Sequence, residues 1–117
     1  IPTRESDTDV AIRRELAERD PATHAPALAP CLHRLAKRLA EAGHRGEALE
    51  TARETVAAYR SLARRRPDDF SRGLASALGT YASVLEWAGR QADAARIRRQ
   101  SEAMTEDKAL EDSIRGF

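Results

Sequence analysis

The chain has 117 residues, enough for one domain and too few for two independent cores. Ala (23), Arg (18) and Leu (11) dominate over three Val and five aromatic residues, a balance that favours helices and leaves little to pack a pleated sheet. Charged residues make up 33% of the chain, yet the net charge is +1, so no overall field exists to hold a nucleic acid or an anionic membrane. The one cysteine, Cys31, excludes an intrachain disulfide and a CxxC metal pair and points to a reducing, cytoplasmic setting. No apolar run approaches the roughly 18 residues of a spanning helix, and the polar start IPTRESDTD is unlike a signal-peptide core.

Laid over itself, the chain has one register: residues 21–49 match residues 67–95 at an offset of 46. Nine of the 29 positions are identical, where this composition gives about three by chance. Leu28, Leu32, Ala36 and Leu39, and their counterparts Leu74, Leu78, Ala82 and Leu85, follow the three-and-four step of one helical face.

In chain order, residues 9–20 come first. Val10, Leu16 and Ala17 fall where the later register has apolar residues, so this stretch reads either as the end of a partial repeat or as an N-terminal capping helix. Together with a first residue, Ile1, that is not Met, the partial-repeat reading implies a piece of a longer array or multidomain protein. Repeat one, 21–66, opens with a helix A from Pro26 to Ala42, or from near Pro30 because proline disturbs a helix interior. Gly43 supplies its left-handed cap, and helix B follows from Gly46 to Arg65, ending before Pro67. Repeat two, 67–106, has a helix A from an N-capping Ser71 to Ala88, a glycine cap at Gly89 and a helix B from Gln91. There Arg98, Glu102 and Thr105 replace Ala52, Val56 and Tyr59, the polar outer face expected of a terminal repeat. Leu110, Ile114 and Phe117 have helical spacing and are expected to form a short capping segment, 107–117, over the last hairpin. The core is expected to bury Leu32, Leu35, Leu39, Leu49, Val56, Tyr59, Leu78, Tyr81 and Leu85.

No catalytic, metal-binding or cofactor-binding set emerges. Cys31 and His33 are two apart on a helix and point away from each other, His24 and His44 bring no second cysteine, and Cys31 reads as a small buried hydrophobe. A Gly-rich phosphate loop, HExxH and GxSxG are all missing. Arg64–Arg66 and Arg96, Arg98 and Arg99 are the basic clusters, interleaved with acids and without aromatic residues for base stacking.

The pattern Leu32, Leu35, Ala36, Leu39, Gly43, Ala48, repeated as Leu78, Tyr81, Ala82, Leu85, Gly89, Ala94, resembles the tetratricopeptide repeat. The usual period is about 34 residues, and the longer one here looks like the long-period arrays of bacteria related to the kinesin-light-chain type. The resemblance implies an all-α, right-handed superhelical solenoid of antiparallel helix pairs forming one domain over 1–117. Its expected role is that of a non-catalytic protein-protein interaction scaffold, part of a larger bacterial regulatory or adaptor protein. The alternatives are a homo-oligomerisation module without a separate ligand and a nucleic-acid-contacting accessory domain. Carried over by register, the partner-binding concave face is lined by His33, Lys37 and Glu41, then Ser76, Gly79, Ser83, Glu86 and Trp87, with Pro30 and Ala40 beside them. Where long-period members place two asparagines, this chain has His33-Arg34 and Gly79-Thr80.

Overall fold

The computed structural model describes the backbone of residues 2–115 and the side chains of residues 9–106, 110, 113 and 114. Its elements are helices: α1 (Pro2–Arg19), α2 (Pro21–Glu41), α3 (Arg45–Arg65), α4 (Pro67–Trp87) and α5 (Gln91–Arg115). Each packs on the next, and α2 also touches α4. The radius of gyration is 15.1 Å, above the roughly 13 Å of a compact chain of this length, so the array is elongated. Its thinnest dimension, 21 Å, is about two helix diameters, which leaves room for two layers of helices and no third.

The duplication is carried by the backbone itself. α2 and α4 both span 21 residues and both begin with proline, whose missing N–H costs nothing at a first helical position. The residues before those prolines, Asp20 and Arg66, are extended (ψ 80° and 74°), as a following proline demands, and each makes the sharp bend between helices in a single residue. Both helices end alike. His44 N–H donates to Leu39 O at 2.9 Å and Gly43 N–H to Ala40 O at 3.1 Å; Arg90 N–H and Gly89 N–H repeat these bonds to Leu85 O and Glu86 O, at 2.8 and 2.9 Å. Gly43 and Gly89 sit at φ 86° and 82°, where a Cβ is strained.

Two clusters make the core. In the first, Val10, Leu28 and Leu32 are buried, with Ala17, Cys31, Leu35 and Ala58 packed against them. In the second, Val56, Leu74, Ala77 and Leu78 are buried, flanked by Ala63, Tyr81 and Met104, with Tyr59 and Ile97 added. The second set contains every position of the first shifted by 46. Outside the core, Arg14 of α1 reaches Glu54 of α3 through Nε at 2.8 Å and Nη2 at 2.6 Å, and the shifted pair, Arg60 and Gln100, repeats the bridge between α3 and α5 at 3.4 Å.

Several expectations are corrected. α2 and α4 start at Pro21 and Pro67 rather than at Pro26, Pro30 or Ser71, because packing of Leu28 and Leu32 holds α2 helical through both internal prolines. Ser71 lies a turn inside α4 and is not its cap. No separate final helix forms: residues 101–112 contain neither glycine nor proline, and α5 continues unbroken to Arg115. Leu110 and Ile114 remain 62% and 64% exposed and cover nothing, while Phe117 lies outside the described residues. Of the expected core, Leu32, Val56, Leu78 and Leu85 are buried. Leu35, Leu39, Leu49, Tyr59 and Tyr81 are half-buried, as is Cys31, because in a two-layer array only positions covered from both sides are sealed.

Candidate functional site

Between α2 and α4 lies an open groove of about 470 Å³ lined by Lys37, Ala40 and Glu41 on one wall and Thr80, Ser83, Val84 and Trp87 on the other. The 46-residue register explains why these side chains meet. α2 and α4 are equivalent helices that touch, and two register pairs, Lys37 with Ser83 and Glu41 with Trp87, line the groove they share. The α2 wall carries the charges of Lys37 and Glu41, whereas the α4 wall carries Val84 and Trp87 with two hydroxyls.

Trp87 is half-buried at the last turn of α4. Its ring lies under the Arg45 guanidinium, 4.7 Å from the centroid, a cation–π contact from the first residue of α3. The indole is therefore held on one side by Arg45 and open to the groove on the other, and Leu110 and Ile114 are not its cover. Deeper in the array, His33 Nε2 is hydrogen-bonded to Thr80 Oγ1 at 2.7 Å, tying α2 to α4 beside the groove. The His33 ring stands edge-on to Tyr59, with centroids 6.4 Å apart and planes at 79°. Burial first, and the positive charge of Lys37 second, push the His33 pKa below its ordinary value and favour neutral imidazole. Burial likewise pushes the Tyr59 phenol up.

The eight register-derived residues divide. Lys37, Glu41, Ser83 and Trp87 share the groove, together with Ala40. His33 stands behind it through Thr80. Glu86 turns toward α5, where Arg98 Nε donates to its Oε1 at 2.7 Å and holds the carboxyl below its usual range. Ser76 is exposed and Gly79 half-buried; neither lines the groove, and a Cβ built on Gly79 would meet nothing within 4 Å. The register pointed past Thr80 and Val84, which complete the wall, and past Arg45, which covers the indole. Helical spacing from Trp87 back to Val84 and Thr80 (i−3, i−7) is the signal that would have found the first two.

Cys31 and His33 do not converge: Arg34 Nη2 donates to Cys31 Sγ at 3.3 Å, while His33 engages Thr80. Among the described residues no group of three or more His, Cys, Asp or Glu side chains is placed to hold a metal ion. No helix is long and apolar enough to cross a membrane, again among the described residues. No family model, curated protein or solved structure matches the chain.

Proposed function

We propose that this protein is a non-catalytic interaction module, a right-handed solenoid of tetratricopeptide type that takes a protein or peptide segment along the α2/α4 groove. The observation that carries the reading is the groove itself, where equivalent faces of α2 and α4 present Trp87 and Val84 opposite Lys37 and Glu41. A large, rigid, half-covered indole is the kind of side chain that anchors an interface, and the flanking opposite charges set the direction of a bound segment. The 46-residue duplication of caps, bends and core supports the repeat architecture. His33 engages Thr80 and Cys31 accepts from Arg34, so these two do not act as a nucleophile and its base.

The test is selection from a random displayed-peptide library on the wild-type chain, followed by binding of the selected peptides to Trp87→Ala and Lys37→Ala. Trp87→Ala is expected to weaken binding by about 2 kcal/mol or more while leaving stability within about 1 kcal/mol. Selected peptides indifferent to both substitutions would overturn the reading. A second reading, self-association, is favoured by Ile12 and Leu16, which stand 51% and 37% exposed one turn apart on α1. A light-scattering mass that rises with concentration, and falls to monomer in Ile12→Ser, would favour it.

A further inference from the structure

A second groove, independent of the one above, opens between α3 and α5 beside Tyr81 of α4 and encloses about 360 Å³. Its polar lining is Arg53, Arg60, Arg96, Tyr81 and Gln100: three guanidinium groups, a phenol and an amide, with no carboxylate among them. Two of the guanidiniums are loosely held. Arg53 Nε is 3.5 Å from the Tyr81 hydroxyl and Arg60 Nη2 is 3.4 Å from Gln100 Oε1, both at the long limit of a hydrogen bond. The nearby acids lie outside the groove. Asp93 is shared between Arg96 and Arg90, at 2.8 Å from each, and Glu50 stands near Arg53 on the same helix.

The repeat provides an internal control for whether packing requires this charge. Shifted back by 46, Arg60, Tyr81, Arg96 and Gln100 become Arg14, Leu35, Glu50 and Glu54. There Arg14 is neutralised by Glu54 through two short bonds, and the same core positions are buried beneath. The position of Arg53 corresponds to Asp7, whose side chain is not among those described. Every exchange runs in one direction: carboxylate to amide at 100, carboxylate to guanidinium at 96, alkyl to phenol at 81. A scaffold that folds with either set of residues has no packing reason to gather cations at the second set of positions.

We propose that this groove binds the phosphomonoester dianion of a small molecule. Guanidinium forks match tetrahedral oxyanions with paired N–H donors, and the Tyr81 hydroxyl and Gln100 amide add neutral donors for the remaining oxygens. Val56 and Ile97 give the groove an apolar wall for the organic part of the ligand, and the volume lies at the small end of the roughly 300–1,000 Å³ typical of ligand sites. A nucleic acid fits less well, since among the described residues Tyr81 is the only aromatic side chain in the lining.

Phenyl phosphate, inorganic phosphate and sodium chloride at matched ionic strength are titrated into the full chain, with calorimetry and melting temperature as readouts. Phenyl phosphate is expected to bind saturably and to raise the melting temperature beyond chloride. Arg96→Glu and Gln100→Glu, which place the residues of the first repeat in the second, are expected to weaken it about tenfold or more, and Arg53→Gln to weaken it less. Arg14→Gln, outside the groove, leaves it unchanged. Circular dichroism separates loss of binding from loss of fold; should either glutamate variant not fold, Arg53→Gln carries the test. Inorganic phosphate binding as tightly as phenyl phosphate would overturn the small-molecule ester in favour of a bare anion. The proposal also fails if stabilisation matches that of chloride, if Arg14→Gln loses as much as Arg96→Glu, or if a single-stranded oligonucleotide binds where phenyl phosphate does not.

Discussion

The cluster around Leu32 and the cluster around Leu78 occupy the same positions on equivalent helices, yet they are filled differently. Val10, Ala17, Leu28 and Leu32 recur unchanged as Val56, Ala63, Leu74 and Leu78, whereas Cys31 becomes Ala77, Leu35 becomes Tyr81 and Ala58 becomes Met104. Three of the four unchanged pairs are the buried centre of each cluster, and of the exchanged positions Tyr81 and Met104 lie at its edge. Close packing therefore fixes a few side chains per repeat and tolerates volume changes at partly buried positions. That freedom lets the α1–α3 and α3–α5 bridges differ in charge over the same buried valine and leucines.

The equivalence can be broken most directly at its centre. Leu32 is 0% and Leu78 1% exposed, so Leu32→Ala and Leu78→Ala should each cost about 2 to 5 kcal/mol by urea denaturation. Costs that differ by more than about 2 kcal/mol would show that the two units collapse differently around a cavity. Next comes Gly73, the counterpart of Ala27. A Cβ on Gly73 would overlap Cε1 of Tyr59 and lie 2.7 Å from its Cδ1, and that ring is braced against His33. Gly73→Ala should therefore destabilise by about 1 to 3 kcal/mol, although alanine is the better helix former. Ala27→Gly, at an exposed position, should cost only about 0.5 to 1 kcal/mol, so a stabilising Gly73→Ala would contradict the packing described here.

Smaller effects are expected at the bridges from α1 to α3 and from α3 to α5. Glu54→Gln turns the Arg14 pair into a copy of Arg60–Gln100; with the two side chains 39% and 40% exposed, the loss should stay below about 1 kcal/mol and shrink in high salt. The smallest difference is in pH response, since Gly79 stands in the second unit where His33 stands in the first. Folding lowers the His33 pKa, so the unfolded chain binds that proton more readily than the folded one. The contribution of His33 is complete above its ordinary value of 6.5 and is lost as pH falls from there through the folded value. A melting temperature that declines over this window in the wild type and is flat in His33→Gln is the expected result.

Much of this arrangement is legible in the chain. The Leu28–Leu32–Ala36 spacing and its copy locate the buried face, and Gly43 and Gly89 mark the turns because the left-handed backbone there excludes other residues at little cost. The groove was legible in part. Register placed Lys37, Glu41, Ser83 and Trp87 on one side of α2 and α4, and the structure brings them together in one groove. It misplaced Glu86, because a carboxylate near a helix end takes whichever cation is close, and Arg98 on α5 is brought near by packing rather than by sequence. Pro26 and Pro30 misled for a similar reason: their local cost is real, and the tertiary contacts of Leu28, Ala29 and Leu32 outweigh it.

The sequence by itself determined the helical class, the 46-residue period, the glycine caps and the burial of Leu32, Leu78 and Leu85, because each follows from spacing or from the conformational limits of one residue. Tertiary structure decided the rest: that α2 runs through two prolines, that α5 is one helix, that Arg45 covers Trp87, and that Arg53, Arg60 and Arg96 share one groove. These depend on which helices lie side by side and how far apart, quantities set by the sum of many weak contacts between residues distant in the chain. No local spacing encodes such a sum.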